Sequence, residues 1–269
     1  MALKSKLATM IKAGFILGKI AVSILPVMVV QSVLRKTSPQ LARKFPQRYY
    51  SWLNQTMEAR ITVSGEPVTN QACLLISNHA SWQDILLLGG TLPISFVAKS
   101  EVADWPIVGR LAKLGGTLFI DRARRQAAGE TKNQMQTRLD EGGSLVLFPE
   151  GTTNDGNQIL PFKSSLFGAS QMEIDGKPVI VQPVSIAYQR VWGLPMGRER
   201  RTQFAWPGDI GFTEHLWSNL KSGPLDVAIH FHPATDIKQA GGRKQLAKLC
   251  EEQVRDGLAN LIANSRAEE

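Results

Sequence analysis

Only two cysteines, Cys73 and Cys250, occur in the 269 residues of this chain. They lie far apart, one in an apolar run and one in a helical stripe. That excludes a disulfide framework and predicts two reduced, buried thiols in a cytosolic setting. No Gly-x-Ser-x-Gly elbow occurs, so the chain lacks the strand-to-helix mount of a nucleophilic serine. Neither a Gly-x4-Gly-Lys-Ser/Thr loop nor a Gly-x-Gly-x-x-Gly fingerprint is present, which argues against nucleotide enzymes. Histidine is scarce, at four residues, and no cysteine or third spaced ligand accompanies His230-x-His232. That pair is expected to pack or to face solvent, with no metal, and the solitary His215 is expected at the surface. Internal repeats, low-complexity tracts, arginine-rich blocks and nucleic-acid motifs are all missing.

Positive charge, by contrast, is in excess. Lys and Arg number 31 against 23 Asp and Glu, giving a formal net charge of +8 and a pI of about 9.6. Such a surplus favours anionic partners, and with no nucleic-acid motif the expected one is an acidic membrane surface. At 43% hydrophobic and 20% charged residues, the chain is globular in composition. It is long enough for one full core with a small appendage.

The N-terminus fits that setting. Residues 13–34 are largely apolar, and only Ser23 and Pro26 interrupt the stretch from Ile20 to Val30. Lys4, Lys6, Lys12 and Lys19 precede or enter the run, and Arg35 and Lys36 close it. The uninterrupted core is shorter than the roughly 20 apolar residues a spanning helix needs. No convincing small-x-small cleavage site follows Val30. The first expectation is a helix lying in the membrane interface, or a shallow re-entrant hairpin bent at Pro26, with a true span and then a soluble core helix as the alternatives. Cations on both flanks leave orientation open. A second helical stretch, about 40–59, places Leu41, Phe45, Tyr49, Trp52, Leu53 and Met57 at helical spacing. It packs on the core or faces the membrane. Residues 1–58 are therefore expected to be membrane-associating helices, and 59–269 a separate domain.

After Gly65-Glu66-Pro67 short strands alternate with helices. Strands are expected at Leu74–Ser77, Ser95–Ala98, Thr117–Ile120, Ser144–Phe148, Val179–Ser185 and Asp226–Phe231. Helices are expected near 82–90, 105–114, 124–140, 164–172 and 241–264. This alternation predicts an α/β fold, a mixed, largely parallel central sheet flanked by helices.

In such sheets ligands gather at loops beyond the strand ends. One loop reads Ser77-Asn78-His79-Ala80-Ser81-Trp82-Gln83-Asp84. Its histidine can be oriented by a carboxylate from the first turn of the next helix, the minimal apparatus for taking a proton from an alcohol. Another follows Gly116-Thr117-Leu118-Phe119-Ile120 and begins Asp121-Arg122, where Arg122 offers a planar fork to phosphate or carboxylate. A further one is Phe148-Pro149-Glu150-Gly151-Thr152-Thr153, whose glycine allows close backbone approach to a ligand.

Together these loops resemble the glycerolipid acyltransferase family, the lysophosphatidate acyltransferase-like enzymes. Asn78-His79-x4-Asp84 matches the family's His-x4-Asp box, and Gly116 to Arg122 its second box. Phe148-Pro149-Glu150-Gly151-Thr152 is similar to the third box and Val179-Ile180-Val181-Gln182-Pro183-Val184 to the fourth, in that order over roughly residues 60–235. The resemblance implies transfer of a fatty acyl group from an acyl thioester, on coenzyme A or acyl carrier protein, to the hydroxyl of a lysolipid. His79 and Asp84 would be catalytic. Arg122, Glu150, Gly151, Thr152, Lys99 and Lys163 would bind substrate, with oxyanion donors sought near Gly151 and Thr152. No metal or organic cofactor is expected. The implied setting is membrane lipid biosynthesis at the cytoplasmic face of the bacterial inner membrane.

The acceptor is where the pattern departs. Phosphatidate-forming members usually carry Glu-Gly-Thr-Arg in the third box, but Thr153 stands at the arginine position here. Pro161-Phe162-Lys163-Ser164-Ser165 has Ser165 where glycine is usual. The stretch Phe96 to Val102 together with Glu150-Gly151-Thr152-Thr153 also resembles bacterial enzymes that acylate lyso-ornithine lipid, whose headgroup is an amino acid without phosphate. As the broader family default, lysophosphatidate, giving phosphatidic acid, is the first expectation; lyso-ornithine lipid is the alternative. A non-catalytic membrane- or lipid-binding protein is the remote one.

Overall fold

The computed structural model describes residues 2–120, 127–206 and 210–267. Two helices open it, α1 (Ala2–Thr37) and α2 (Pro39–Thr56), before β1 (Ala59–Ser64), β2 (Cys73–Ser77), α3 (Gln83–Thr91) and β3 (Ile94–Lys99). Next come α4 (Val108–Leu114), β4 (Leu118–Ile120), α5 (Ala127–Asp140) and β5 (Ser144–Leu147). The short β6 (Glu173–Ile174) and β7 (Lys177–Pro178) precede the long β8 (Ile180–Val191), β9 (Leu194–Pro195) and α6 (Arg198–Thr202). The chain closes with α7 (Phe212–Ser222), β10 (Leu225–Phe231) and α8 (Arg243–Ala267). The helix expected near 164–172 is 3-10 in character over Ser164–Gln171.

The main sheet has the order β1-β10-β8-β2-β5-β3-β4, with β9 beside β8. β8, β2, β5, β3 and β4 run parallel, β10 runs against β8, and β1 is parallel to β10. The sheet is therefore mixed and largely parallel, as expected. Its central strand, Cys73-Leu74-Leu75-Ile76-Ser77, is buried throughout, because helices cover both faces. Successive side chains alternate between those faces. Leu74 and Ile76 join Leu139 of α5 and the α8 stripe Leu246, Cys250, Val254 and Leu258. Cys73 and Leu75 join Leu87 and Leu88 of α3 and Phe96 of β3 on the other side. Both cysteines are free and buried.

Besides the short β6, β7, β9 and α6, which the sequence reading did not include, the structure departs from it in the following ways. The second helix stops at Thr56, and Glu58, at φ 59°, turns the chain into β1, which pairs with β10 at a sheet edge. β1 is largely exposed, so its apolar alternation is weak. α7 is a further helix with no counterpart among the expected elements. His215 on it is buried, against the expectation of a surface residue: Trp82 Nε1 donates to its Nδ1 at 2.9 Å, and its Nε2 lies 2.9 Å from the Ala205 carbonyl. Lastly, α1 runs unbroken through Pro26, and no hairpin forms there. Proline removes only its own amide from the helix. One turn earlier Ser23 Oγ bonds the Ile20 carbonyl at 2.7 Å and meets the Tyr49 hydroxyl at 2.9 Å, which ties that turn to α2.

α1 lies along the domain. Lys12 pairs with Glu58 at 2.5 Å, Ala13 and Ile16 pack with Leu220 of α7, and Gln31 Nε2 donates to the carbonyls of Ala42 and Leu114. Its opposite side is bare: Val22 is 77% and Leu25 70% exposed. From Leu7 to Thr37 the helix is long and apolar enough to cross a membrane by length and composition.

Candidate active site

The parallel strands bring their C-terminal ends to one edge of the sheet, and the motif loops leave from there. β2 ends at Ser77, and the next side chain takes over its sheet pairing. The Asn78 amide accepts from the Ile186 N–H at 2.8 Å and donates to the Ile186 carbonyl at 3.0 Å. With the chain pinned to β8, His79 turns out of the sheet. Its N–H donates to Glu150 Oε1 at 2.8 Å, its carbonyl accepts from Asn154 N at 2.8 Å, and its ring stacks on Phe148 at 4.0 Å.

Asp84, in the first turn of α3, reaches back over the same loop. Its Oδ2 accepts from Ala80 N at 2.7 Å and Ser81 N at 2.9 Å, and lies 2.9 Å from His79 Nδ1. The other oxygen, Oδ1, takes one bond among the described residues, 2.7 Å from the Tyr188 hydroxyl. The carboxylate side chain is 1% exposed and the imidazole 20%. A carboxylate at Nδ1 places the ring proton there, so Nε2 carries the lone pair. No protein group bonds Nε2 among the described residues, and His79 lines a cavity of about 1320 Å³. The same Asp84 oxygen that gathers the loop amides of Ala80 and Ser81 thus also fixes the ring. Burial beside Asp84 raises the Tyr188 hydroxyl well above the usual tyrosine range, so it stays a donor.

Glu150 is buried and saturated. One oxygen accepts from His79 N and Asn154 Nδ2, the other from Asn154 Nδ2 and Leu160 N at 2.8 Å. Burial raises its pKa, and the donors from Asn154, Leu160 and His79 oppose that rise. Gly151 has a φ of +76°, a turn that a side chain would strain, and its N–H returns to the Phe148 carbonyl at 3.1 Å. Thr152 lines the cavity with His79. Thr153 donates its hydroxyl to the Trp206 carbonyl. Lys99, the last residue of β3, also lines the cavity, whereas the exposed Lys163 does not; its N–H is held by the Pro149 carbonyl at 2.9 Å. Arg122 lies outside the described residues.

The cavity extends from His79 and Gly151 to an apolar wall built by Leu17, Ile20 and Ile24 of α1 and Tyr49 and Leu53 of α2. The sequence reading passed over Tyr188, Asn154 and Trp206. Tyr188 lies in the part of β8 that runs past the expected end of the strand at Ser185, and a buried tyrosine there must find a partner for its hydroxyl.

The profile of the acyltransferase family matches residues 60–187. A lyso-ornithine lipid O-acyltransferase of Rhizobium meliloti is 38% identical over 93% of this chain and 85% of its own length. One from Brucella abortus is 41% identical over 79% and 81%. A 1-acyl-sn-glycerol-3-phosphate acyltransferase of Neisseria meningitidis is 30% identical over 70% and 69%. The crystal structure of the 1-acyl-sn-glycerophosphate acyltransferase PlsC from Thermotoga maritima shares the fold, with a TM-score of 0.65 at 22% identity over 97% of this chain and 98% of that one. With its motif loops at one sheet edge and relatives that match it over most of their length, the chain belongs to the glycerolipid acyltransferase family and is an acyltransferase.

Proposed function

We propose that this enzyme transfers a fatty acyl group from an acyl thioester to the free hydroxyl of lyso-ornithine lipid. The motifs by themselves favoured lysophosphatidate. One observation carries the change: the likeness to lyso-ornithine lipid enzymes reaches 38% identity over 93% of the chain, against 30% over 70% for a phosphatidate-forming relative. Thr153, uncharged where an arginine would meet phosphate, supports the same reading.

In this reading His79 Nε2 takes the proton of the acceptor hydroxyl as the oxygen attacks the thioester carbonyl. Asp84 holds Nδ1–H and stabilises the imidazolium, a positioned base being worth roughly 10²–10⁴-fold. The tetrahedral oxyanion needs donors. The Gly151 N–H is bonded to Phe148, so the oxyanion role falls to Thr152. Collapse breaks the carbon–sulfur bond, and the departing thiolate takes the proton back from His79. Ester and free thiol result, with no covalent enzyme intermediate and no cofactor. Burial pushes the Cys73 and Cys250 thiols up to about 12, which suits neither to nucleophilic attack. Glu150 acts by position: it fixes the main chain of His79. The donor's carrier is coenzyme A or acyl carrier protein, and the cationic Lys99, Lys163 and Arg122 are candidate ligands for a substrate phosphate or carboxylate. The apolar wall from α1 and α2 takes the acyl chains, and the bare side of α1 rests on an anionic bilayer from the cytoplasmic side.

An acceptor panel tests the assignment. With one acyl-thioester donor, lyso-ornithine lipid is expected to be acylated well above lysophosphatidate and other lysophospholipids. Turnover of lysophosphatidate alone would remove it.

A further inference from the structure

Beside His79 the cavity is lined by aromatic rings that the mechanism leaves unused: Trp82, Trp105, Trp206 and Phe212. The centroids of Trp105, Trp206 and Phe212 form a triangle with sides of 5.7, 6.1 and 6.1 Å. Their planes are inclined at 77°, 48° and 72°, so the rings meet edge to face or tilted, and all three also line the cavity. Trp82 adds an edge contact to Phe212 at 5.3 Å. A triangle of this size lets one cation lie within about 6 Å of all three centroids, the range in which ring quadrupoles attract it. Lysine ammonium groups cover Trp192, Phe15, Phe119 and Trp217, but none covers these three rings among the described residues.

The anchoring of Trp206 ties this corner to the reaction centre. Its N–H donates to the carbonyl of Ala80, next to His79, at 2.7 Å, its indole N–H donates to the Ile210 carbonyl at 2.7 Å, and its own carbonyl accepts from Thr153. The residue that stands in place of an anion-binding arginine is thus spent on fixing an aromatic ring. The corner therefore holds no cation at that position, and its aromatic faces are what it offers a headgroup.

We infer that Trp105, Trp206 and Phe212 form the subsite for the ammonium group of the acceptor headgroup. This rests on the lyso-ornithine lipid reading, since ornithine acylated on one amine keeps an ammonium and a carboxylate. Lys99, on the wall of the same cavity, is the carboxylate's counterpart.

The test uses an N-acyl ornithine that lacks the acceptor hydroxyl, and the same molecule with its free amine acetylated. Both are competitors against whichever lysolipid the full-length enzyme acylates, so the experiment does not depend on the acceptor panel. The free amine is expected to inhibit about tenfold better than the acetylated form, and Trp105→Leu and Phe212→Leu should each erase most of that preference. Equal inhibition of the unsubstituted enzyme by the two analogues would overturn the subsite, and needs no variant to fold. So would a preference that survives both substitutions. Failure on lyso-ornithine lipid in the panel, with the amine preference intact, would remove the acceptor and leave the cation subsite standing.

Discussion

Tyr188→Phe removes one oxygen and keeps the shape of the ring. Among the described residues, three of the four donors to Asp84 converge on Oδ2, and Tyr188 alone serves Oδ1. Without it, a carboxylate oxygen on a fully buried residue has no partner. A hydrogen bond to a charged group contributes about 1.5–3 kcal/mol, and leaving the charged partner unsatisfied costs at least that much. For a chain of this size the loss corresponds to a fall in Tm of about 3–10 °C. The effect on rate follows from orientation. Asp84 keeps its hold on His79 through Oδ2 but can rotate about it, so kcat is expected to fall about tenfold, a barrier change of about 1.4 kcal/mol, with KM for the acceptor unchanged. Phe204 provides the control, since it stacks on Tyr188 at 6.4 Å and its side chain has no hydrogen-bonding group to offer Asp84. Phe204→Leu should lower Tm and leave kcat near its starting value. Thermal unfolding and steady-state kinetics of both variants, with Tyr188→Phe repeated on an Asp84→Asn background, complete the cycle. If Tyr188 acts through Asp84, the rate effect vanishes on that background. An undiminished effect there, or a Tyr188→Phe enzyme with the original kcat, would refute the reasoning.

Three further outcomes are expected. His79→Ala should lower kcat by about 10²–10⁴-fold while vesicle binding, measured by co-sedimentation, is kept; appreciable turnover would remove His79 as the base. Thiol alkylation of the native protein should be slow at both Cys73 and Cys250 and leave activity intact, since burial holds each thiol near about 12; mass spectrometry after iodoacetamide treatment reads it. Burial, with His230 adding to it and Asp256 opposing, lowers His232 to about 4, so the unfolded chain binds the extra proton between its ordinary 6.5 and that value. Stability from this group is therefore present above pH 6.5 and lost as pH falls towards 4, by up to about 3 kcal/mol, and denaturation curves of His232→Gln should show a flatter acid limb.

The fold was legible where local pattern and tertiary role agree. Cys73 to Ile76 reads as a buried strand because both faces of the central strand are covered, and the α8 stripe reads as a helix because one side of it meets the sheet. β1 was not legible: its residues are mostly exposed at an edge, and its identity lies in pairing with β10, some 160 residues away. Of the candidate site, the dyad was legible because helix geometry itself brings Asp84 back over His79. Glu150 was visible as a loaded position, but its direction was not. Two of its four bonds come from Asn154, and the other two from the amides of His79 and Leu160, which only the folded loops bring together. Tyr188 and Trp206 reach the site from distant chain segments, so spacing within a motif carries no trace of them.

The position of α1 decides how the cavity meets the bilayer. Lys12 near one end pairs with Glu58, and Arg35 near the other donates to the Lys113 carbonyl at 3.2 Å. Those contacts are separated by about 35 Å along a helix, more than the roughly 30 Å hydrocarbon core of a membrane. If α1 crossed the bilayer, one of them would be carried to the far side, together with the part of the domain it touches. Both are made with the helix lying along the domain, which leaves Val22 and Leu25 bare for a bilayer in the interfacial reading. Leu7→Cys and Thr37→Cys, made singly, should then react with a membrane-impermeant maleimide from the same side of sealed vesicles, the native thiols being buried. Labelling from opposite sides would establish a span and contradict the packed arrangement. An α1 in the interface would also make the apolar wall of the cavity, built by Leu17, Ile20 and Ile24, part of the membrane-facing layer.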